Sequence, residues 1–186
     1  MYQFPAAPTS LRIRKSSNVF IAIFGVMWLI FWVGLILFLI AFPIEQELRW
    51  FVIIFLLVEI TALPLMIGLL SKQKPLYYEL DGKKLRVKRS KPYKDLEWDL
   101  SAVTKIEAKK NYPMQRITRR AKSNNQGVFA ISGTVWNPEL GGWLRVALSS
   151  DEDYILLSGD KFGYAVSPQD MDGFMRAAQQ ELGITA

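Results

Sequence analysis

The chain has 186 residues, with 23 Lys and Arg against 17 Asp and Glu, and neither His nor Cys. Without thiols or imidazoles it has no disulfide, no Cys/His zinc site, no haem ligation through His, no thiol nucleophile and no neutral-pH general base of the usual kind. Most enzyme mechanisms are thereby disfavoured, and a non-enzymatic protein with no cofactor is expected.

Residues 1–18 form a basic N-terminal segment. It carries Pro5 and Pro8, then Ser10-Leu11-Arg12-Ile13-Arg14-Lys15, which alternates apolar and basic residues. Two readings stay open: a short strand laid on a soluble domain, or a basic collar at lipid headgroups. Val19 to Phe42 follows with 24 residues and no Asp, Glu, Lys or Arg. As a helix it reaches roughly 36 Å, against a bilayer hydrocarbon core of about 30 Å. Its apolar region is too long for a secretory signal, and no small-residue cleavage site follows at Ala41-Phe42-Pro43-Ile44. An uncleaved anchor is expected.

The link Pro43 to Arg49 is too short for a domain, so a second apolar run, Phe51 to Leu70, is expected to return antiparallel as a hairpin. Arg12, Arg14 and Lys15 precede the first span, and Lys72 and Lys74 follow the second, whereas the link holds Glu45 and Glu47 against Arg49. By the positive-inside rule both termini and the soluble part face the cytoplasm. The absence of disulfides agrees with that compartment.

Within the spans, Trp28 and Trp32 lie near mid-span, Pro64 interrupts the second run, and Gly25, Gly34 and Gly68 offer places for close backbone approach. Glu59 is the one ionisable residue in either span. A carboxyl at that depth costs about 3 kcal/mol on insertion scales, so it is expected to be protonated, hydrogen-bonded or paired. Counted inward from the outer ends it falls at the depth of Gly34, with Trp32 within a turn and its indole N–H as a possible partner. It is either a neutral group satisfied inside the hairpin or a contact to another membrane protein; ion transport is the weakest reading, because one carboxyl on two helices builds no pathway. Glu59, Trp28, Trp32 and Gly34 are therefore the candidate intramembrane contact.

From Leu76 the apolar period changes from helical to strand-like. Leu76 to Leu80, the turn Asp81-Gly82 and Lys83 to Arg89 read as a hairpin. Leu85 and Val87 alternate with Lys84, Arg86 and Lys88, and Leu96, Trp98 and Leu100 alternate with Asp95, Glu97 and Asp99. Pairing around the turn Ser90 to Tyr93 sets Lys88 against Asp95 and Arg86 against Glu97, so these charges largely cancel. The run from Lys105 to Lys122 has only Glu107 against it and no acidic strand to pair with. Its Lys109, Lys110, Arg116, Arg119, Arg120 and Lys122 are the candidate contacts to lipid headgroups or an acidic partner.

Asn111 to Gly127 is polar and aperiodic, and is read as a long loop. Val128 to Thr134, Gly142 to Leu148, Tyr154 to Leu157 and Phe162 to Val166 read as four further strands. Ser167-Pro168-Gln169-Asp170 marks a helix start with Ser167 as N-cap. Met171, Phe174, Met175, Ala178 and Leu182 then share one face, and the helix ends at Gly183. About seven antiparallel strands capped by one helix describe an α+β, pleckstrin-homology (PH)-like, partly open barrel over residues 71–186, behind a transmembrane hairpin at 19–70 (spans 19–42 and 51–70).

The late segment resembles the bacterial PH domain family, on Gly127-Val128-Phe129-Ala130-Ile131-Ser132-Gly133, Trp136, Leu140-Gly141, Arg145-Val146-Ala147-Leu148 and Tyr164-Ala165-Val166-Ser167-Pro168-Gln169-Asp170-Met171-Asp172-Gly173-Phe174. The resemblance covers Leu76 to Leu182 and implies the fold. It implies no ligand-binding residues, because the basic strand positions used by lipid-binding PH domains are mated here with acids.

No Gly-rich phosphate loop or calcium-loop spacing is present, and Asp151-Glu152-Asp153 suits a hairpin turn. Ser123 to Ala186 holds eight acids against three bases, so the basic residues concentrate nearer the membrane and nucleic acid is not expected as a partner. The expectation is an integral protein of the bacterial inner membrane, with membrane lipids and other membrane protein subunits as partners, whose cytoplasmic domain binds protein partners to assemble or stabilise a complex. The alternative is an anionic-lipid-sensing module.

Overall fold

The computed structural model describes residues 1–41, 46–112, 120–126 and 130–184. Strand β1 (Tyr2–Pro5) opens the chain and pairs antiparallel with β2 (Pro75–Asp81), with Tyr2 opposite Leu80 and Pro5 opposite Tyr77. Helix α1 (Leu11–Ala41) follows, then α2 (Gln46–Ser71). Within α1, Ile13–Leu39 is long and apolar enough to cross a membrane, with a mean hydropathy of 2.7. Residues 1–18 are thus not a separate segment: the strand belongs to the sheet, and Leu11 onward belongs to the helix.

Ser10 starts α1. Its hydroxyl accepts from the Ile13 N–H at 3.3 Å, as a helix N-cap does. The alternation from Ser10 to Lys15 is therefore the first turn of a helix and not a strand. Ile13 and Ser17, one turn apart on the same helical face, are both buried, and Ser17 Oγ donates to the Ile13 carbonyl at 2.7 Å.

β3 (Lys84–Arg89) and β4 (Leu96–Asp99) complete a four-stranded sheet in the order β1-β2-β3-β4. The turn between β2 and β3 is Gly82-Lys83, one residue later than expected, because Asp81 pairs with Lys84. Arg86 stands opposite Glu97 as expected, at 3.5 Å, and Lys88 meets Asp95 at 2.8 Å. Asp95 is held below the usual carboxylate range by that contact, and Lys88 is raised by the same one. Glu79 is buried on this face. It accepts from Gln3 Nε2 at 3.1 Å and lies 3.6 and 3.8 Å from Arg86 and Lys88, which is the compensation a buried carboxylate requires.

β5 (Lys105–Lys109), β6 (Arg120–Gln126), β7 (Ile131–Asn137), β8 (Gly142–Leu148), β9 (Tyr154–Ser158) and β10 (Phe162–Val166) form a second sheet in the order β5-β9-β10-β8-β7-β6. This corrects the expectation of about seven antiparallel strands. The described residues hold ten, and β10 runs parallel to β8. The parallel pair arises because β9 skips one position beyond β8 and β10 returns into the gap. β6 also places a strand within the stretch read as a long loop.

The six-stranded sheet is apolar on both faces. Ala147, Ile155, Leu157, Tyr164 and Val166 pack with Tyr78, Leu80, Leu85, Val87 and Trp98 of the first sheet. The alternate residues Leu144, Val146, Leu148, Tyr154, Leu156 and Ala165 form a second cluster. Helix α3 (Met171–Leu182) closes the first cluster with Phe174, Ala177 and Ala178, while Met171, Met175 and Leu182 lie at its margin. Its N-cap is Asp170, whose carboxylate accepts from the Gly173 N–H at 2.8 Å. Ser167 is not the cap, because its hydroxyl is engaged inside the domain. Gly183 ends the helix with φ of 66°, the left-handed conformation expected there.

Candidate functional site

Two regions bring functional groups together: the junction where the helices meet the sheets, and a cleft between the sheets.

At the junction the chain from Pro5 to Ser10 is stitched to the domain. The Ala6 N–H donates to the Leu76 carbonyl at 2.9 Å, the Ala7 N–H to Ser167 O at 2.7 Å, and the Ser10 N–H to Ser149 O at 3.1 Å. Ser10 Oγ donates to Asp151 Oδ1 at 2.6 Å, and Ser149 Oγ donates to the Ala7 carbonyl at 2.5 Å. Behind this seam Tyr78, fully buried, donates to Ala147 O at 2.8 Å and accepts from the Ser167 N–H at 3.2 Å. Burial pushes the Tyr78 phenol up to about 12. Ser167 Oγ accepts in turn from the Ser149 N–H at 2.8 Å. The buried polar groups are thus mutually satisfied, and α1 is held rigidly at its root.

The last turn of α2 is held on the other side. Gln73 Nε2 donates to the Tyr93 hydroxyl at 3.0 Å, which ties the β3–β4 turn to the end of the helix. Arg89 lies 5.7 Å from the centre of the Tyr93 ring, and its Nε donates to the Lys94 carbonyl at 2.9 Å. Around this contact stand Lys72, Lys74, Lys91 and Lys94, and on α1 stand Arg14 and Lys15. All six are exposed and have no carboxylate partner among the described residues.

The cleft, of ≈ 770 Å³, lies between β4 and the β7–β8 face, lined by the cations Arg89 and Arg145, the acids Asp95 and Glu97, and Leu96, Trp98, Ser132 and Thr134 among others. Trp98 stacks on Tyr164 at 5.1 Å and forms an apolar floor. Arg145 is exposed, and no carboxylate pairs with it among the described residues. β4 is the edge of its sheet, so one row of its backbone groups makes no strand pairing on this side. Such a cleft presents hydroxyls, the Arg145 guanidinium, and the carboxylates of Asp95 and Glu97, which Lys88, Lys84 and Arg86 already engage. Sequence reasoning missed it: Arg145 and Trp98 stand 47 positions apart on different sheets. The one sequence signal for Arg145 is a lone cation in the strand Gly142–Leu148.

The expected intramembrane contact is only partly assembled. Trp28 and Trp32 sit one turn apart on α1 with ring centres 5.6 Å apart, and neither indole N–H has a hydrogen-bond partner among the described residues. They belong to a half-buried stripe, Ile21, Gly25, Trp28, Trp32, Leu35 and Leu39, whose intervals of four and three residues make a seam of period 3.5. Gly34 lies off that seam and is exposed. A Cβ at Gly25, Gly34 or Gly68 would meet no described atom within 4 Å. Glu59 lies on α2, and its side chain falls outside the described residues.

Of the basic run from Lys109 to Lys122, the side chains of Lys109 and Lys110 are described. Lys109 is 3.4 Å from Glu107 and 5.6 Å from the Tyr112 ring centre, and Lys110 is 3.7 Å from Asp172. Glu107, the one acid within the run, is paired also with Lys105. Arg116 and Arg119 lie outside the described residues. Arg120 and Lys122 fall on β6, and their side chains are not among those described. Among the described residues no group of His, Cys, Asp and Glu is arranged to hold a metal ion.

No family model, no curated protein and no solved structure matches the chain.

Proposed function

We propose that this chain is a non-enzymatic integral protein of the bacterial inner membrane whose cytoplasmic PH-like domain binds protein partners and so assembles or stabilises a membrane complex. The observation that carries the binding role is the inter-sheet cleft, where the unpaired Arg145 guanidinium and the Trp98 ring stand beside the free edge of β4. An extended segment of a partner would add its backbone to that edge and place a single carboxylate at Arg145. In this reading α1 and α2 form a two-span hairpin, and the half-buried stripe on α1 supports helix pairing of that kind. Both termini and the domain then face the cytoplasm. The late-segment resemblance to bacterial PH domains and the α3 cap over the core support the fold assignment.

The test is purification of the full chain in mild detergent with identification of co-purifying proteins. A partner retained by the native chain and lost with Arg145→Glu is the expected outcome. A chain that purifies alone and behaves as a monomer overturns the reading. The second reading, recognition of anionic lipid, is favoured by the unpaired cations around the end of α2.

A further inference from the structure

The cations at the membrane-facing end of the domain are unevenly distributed. β2 leaves that end at Pro75 and β3 returns to it at Arg89, so the β3–β4 turn lies beside the end of α2, where Gln73 holds Tyr93. The side next to α2 carries Lys72, Lys74, Lys91 and Lys94. Its nearest acid, Asp95, is already engaged by Lys88. The side next to α1 carries Asp151, Glu152 and Asp153 in the β8–β9 turn, which Ser10 reaches through Asp151, with Arg14 and Lys15 a turn further along the helix. At this end of the domain the α2 side therefore carries cations without free acids, whereas the α1 side carries acids and cations together.

We propose that the β3–β4 turn, with Lys91 and Lys94 at its tip and Lys72 and Lys74 beside it, is a docking surface for anionic lipid headgroups. The domain then leans onto the bilayer on its α2 side. This rests on the membrane reading given above, and it locates lipid contact away from Lys109 and Lys110, whose charges are engaged by Glu107 and Asp172. Four cations with no carboxylate partner, held within a short distance of a membrane helix, offer phosphate groups the neutralisation that no side chain of the domain gives them. The Tyr93 ring, fixed by Gln73 on one side and covered by Arg89 on the other, limits the freedom of the turn and lowers the ordering cost of docking.

Each cation near an anionic surface contributes about 1 kcal/mol, or about a fivefold preference. The test reconstitutes the full chain into nanodiscs of phosphatidylcholine alone and of an equimolar mixture with phosphatidylglycerol, and measures acylation of each lysine by mass spectrometry. Lys91 and Lys94 are expected to react at least about fivefold more slowly in the anionic discs, and high salt is expected to abolish the difference. Lys83 and Lys161, at the opposite end of the domain, serve as internal controls and are expected to react equally in both. Equal reactivity of Lys91 and Lys94 in the two discs, with the chain resisting alkaline extraction, overturns the headgroup assignment, leaves the membrane reading standing and directs the turn toward a protein partner. A chain that alkaline carbonate extracts from both discs overturns the membrane reading and this proposal with it.

Discussion

Replacing Tyr78 by Phe removes the hydroxyl that joins β2 to the buried polar seam and leaves the ring in place against Phe174, whose centre is 6.4 Å away. The hydroxyl donates to Ala147 O and accepts from the Ser167 N–H, and Tyr78 and Ser167 are both fully buried. Ala147 O retains a second lone pair, but the Ser167 N–H is left without an acceptor in a dry site. One lost hydrogen bond contributes about 1 kcal/mol, and an orphaned buried donor costs about 1–3 kcal/mol, so a loss of about 2–4 kcal/mol is expected. The loss is read from urea unfolding of the full chain in mild detergent, followed by tryptophan emission, where Trp98 stacked on Tyr164 reports the core. The midpoint is expected to fall with the slope unchanged. A change below about 0.5 kcal/mol, the range of ordinary surface substitutions, refutes the claim that this hydroxyl organises the junction.

Burial raises the Tyr78 phenol above its ordinary 10.0 to about 12, and Tyr154 and Tyr164 are raised for the same reason. Phenols with raised folded pKa contribute stability that is complete below pH 10 and is lost as pH climbs toward about 12, so ultraviolet titration should show these phenolates appearing only as the fold opens. Asp95, Glu97, Asp99 and Glu107 are all held below their ordinary 3.8 and 4.5. Their contribution is full above those values and is lost as pH falls through the lower folded ones; circular dichroism across acid pH checks it, and high salt should weaken it. Ser10→Ala removes the α1 cap and the donor to Asp151, and should cost about 1–2 kcal/mol, with faster amide exchange confined to the root of α1. Gly142→Ala drives a Cβ into the Lys161 carbonyl and should cost about 1–3 kcal/mol in the same urea assay.

The elements that could be located from residue order alone are those whose signal is local. Alternation placed β2, β3, β4, β8, β9 and β10 to within a residue or two, and charge alternation paired Lys88 with Asp95 and Arg86 with Glu97 before any coordinates, because cross-strand neighbours in a hairpin follow from register. β5 was hidden by its charges, and β1 by its shortness, since four residues with a proline at the end form a strand only when β2 supplies the partner edge. The N-cap of α3 moved from Ser167 to Asp170 for a related reason: both residues suit a cap, and Ser167 is drawn away by Ser149 and Tyr78, which are distant in the chain.

Composition and hydropathy by themselves determined that α1 can cross a bilayer, that thiol and imidazole chemistry is absent, and that a sheet-rich α+β domain with one C-terminal helix follows. Those properties are sums over residue types or short-period patterns, and tertiary contacts do not alter them. Which cations are free was decided only in three dimensions. Lys109 and Lys110 found carboxylates, whereas Lys72, Lys74, Lys91, Lys94 and Arg145 did not, and Trp98 met Arg145 across two sheets. A charge becomes available for recognition only when folding leaves it without a mate, and mates separated by tens of residues are brought together by topology and not by spacing.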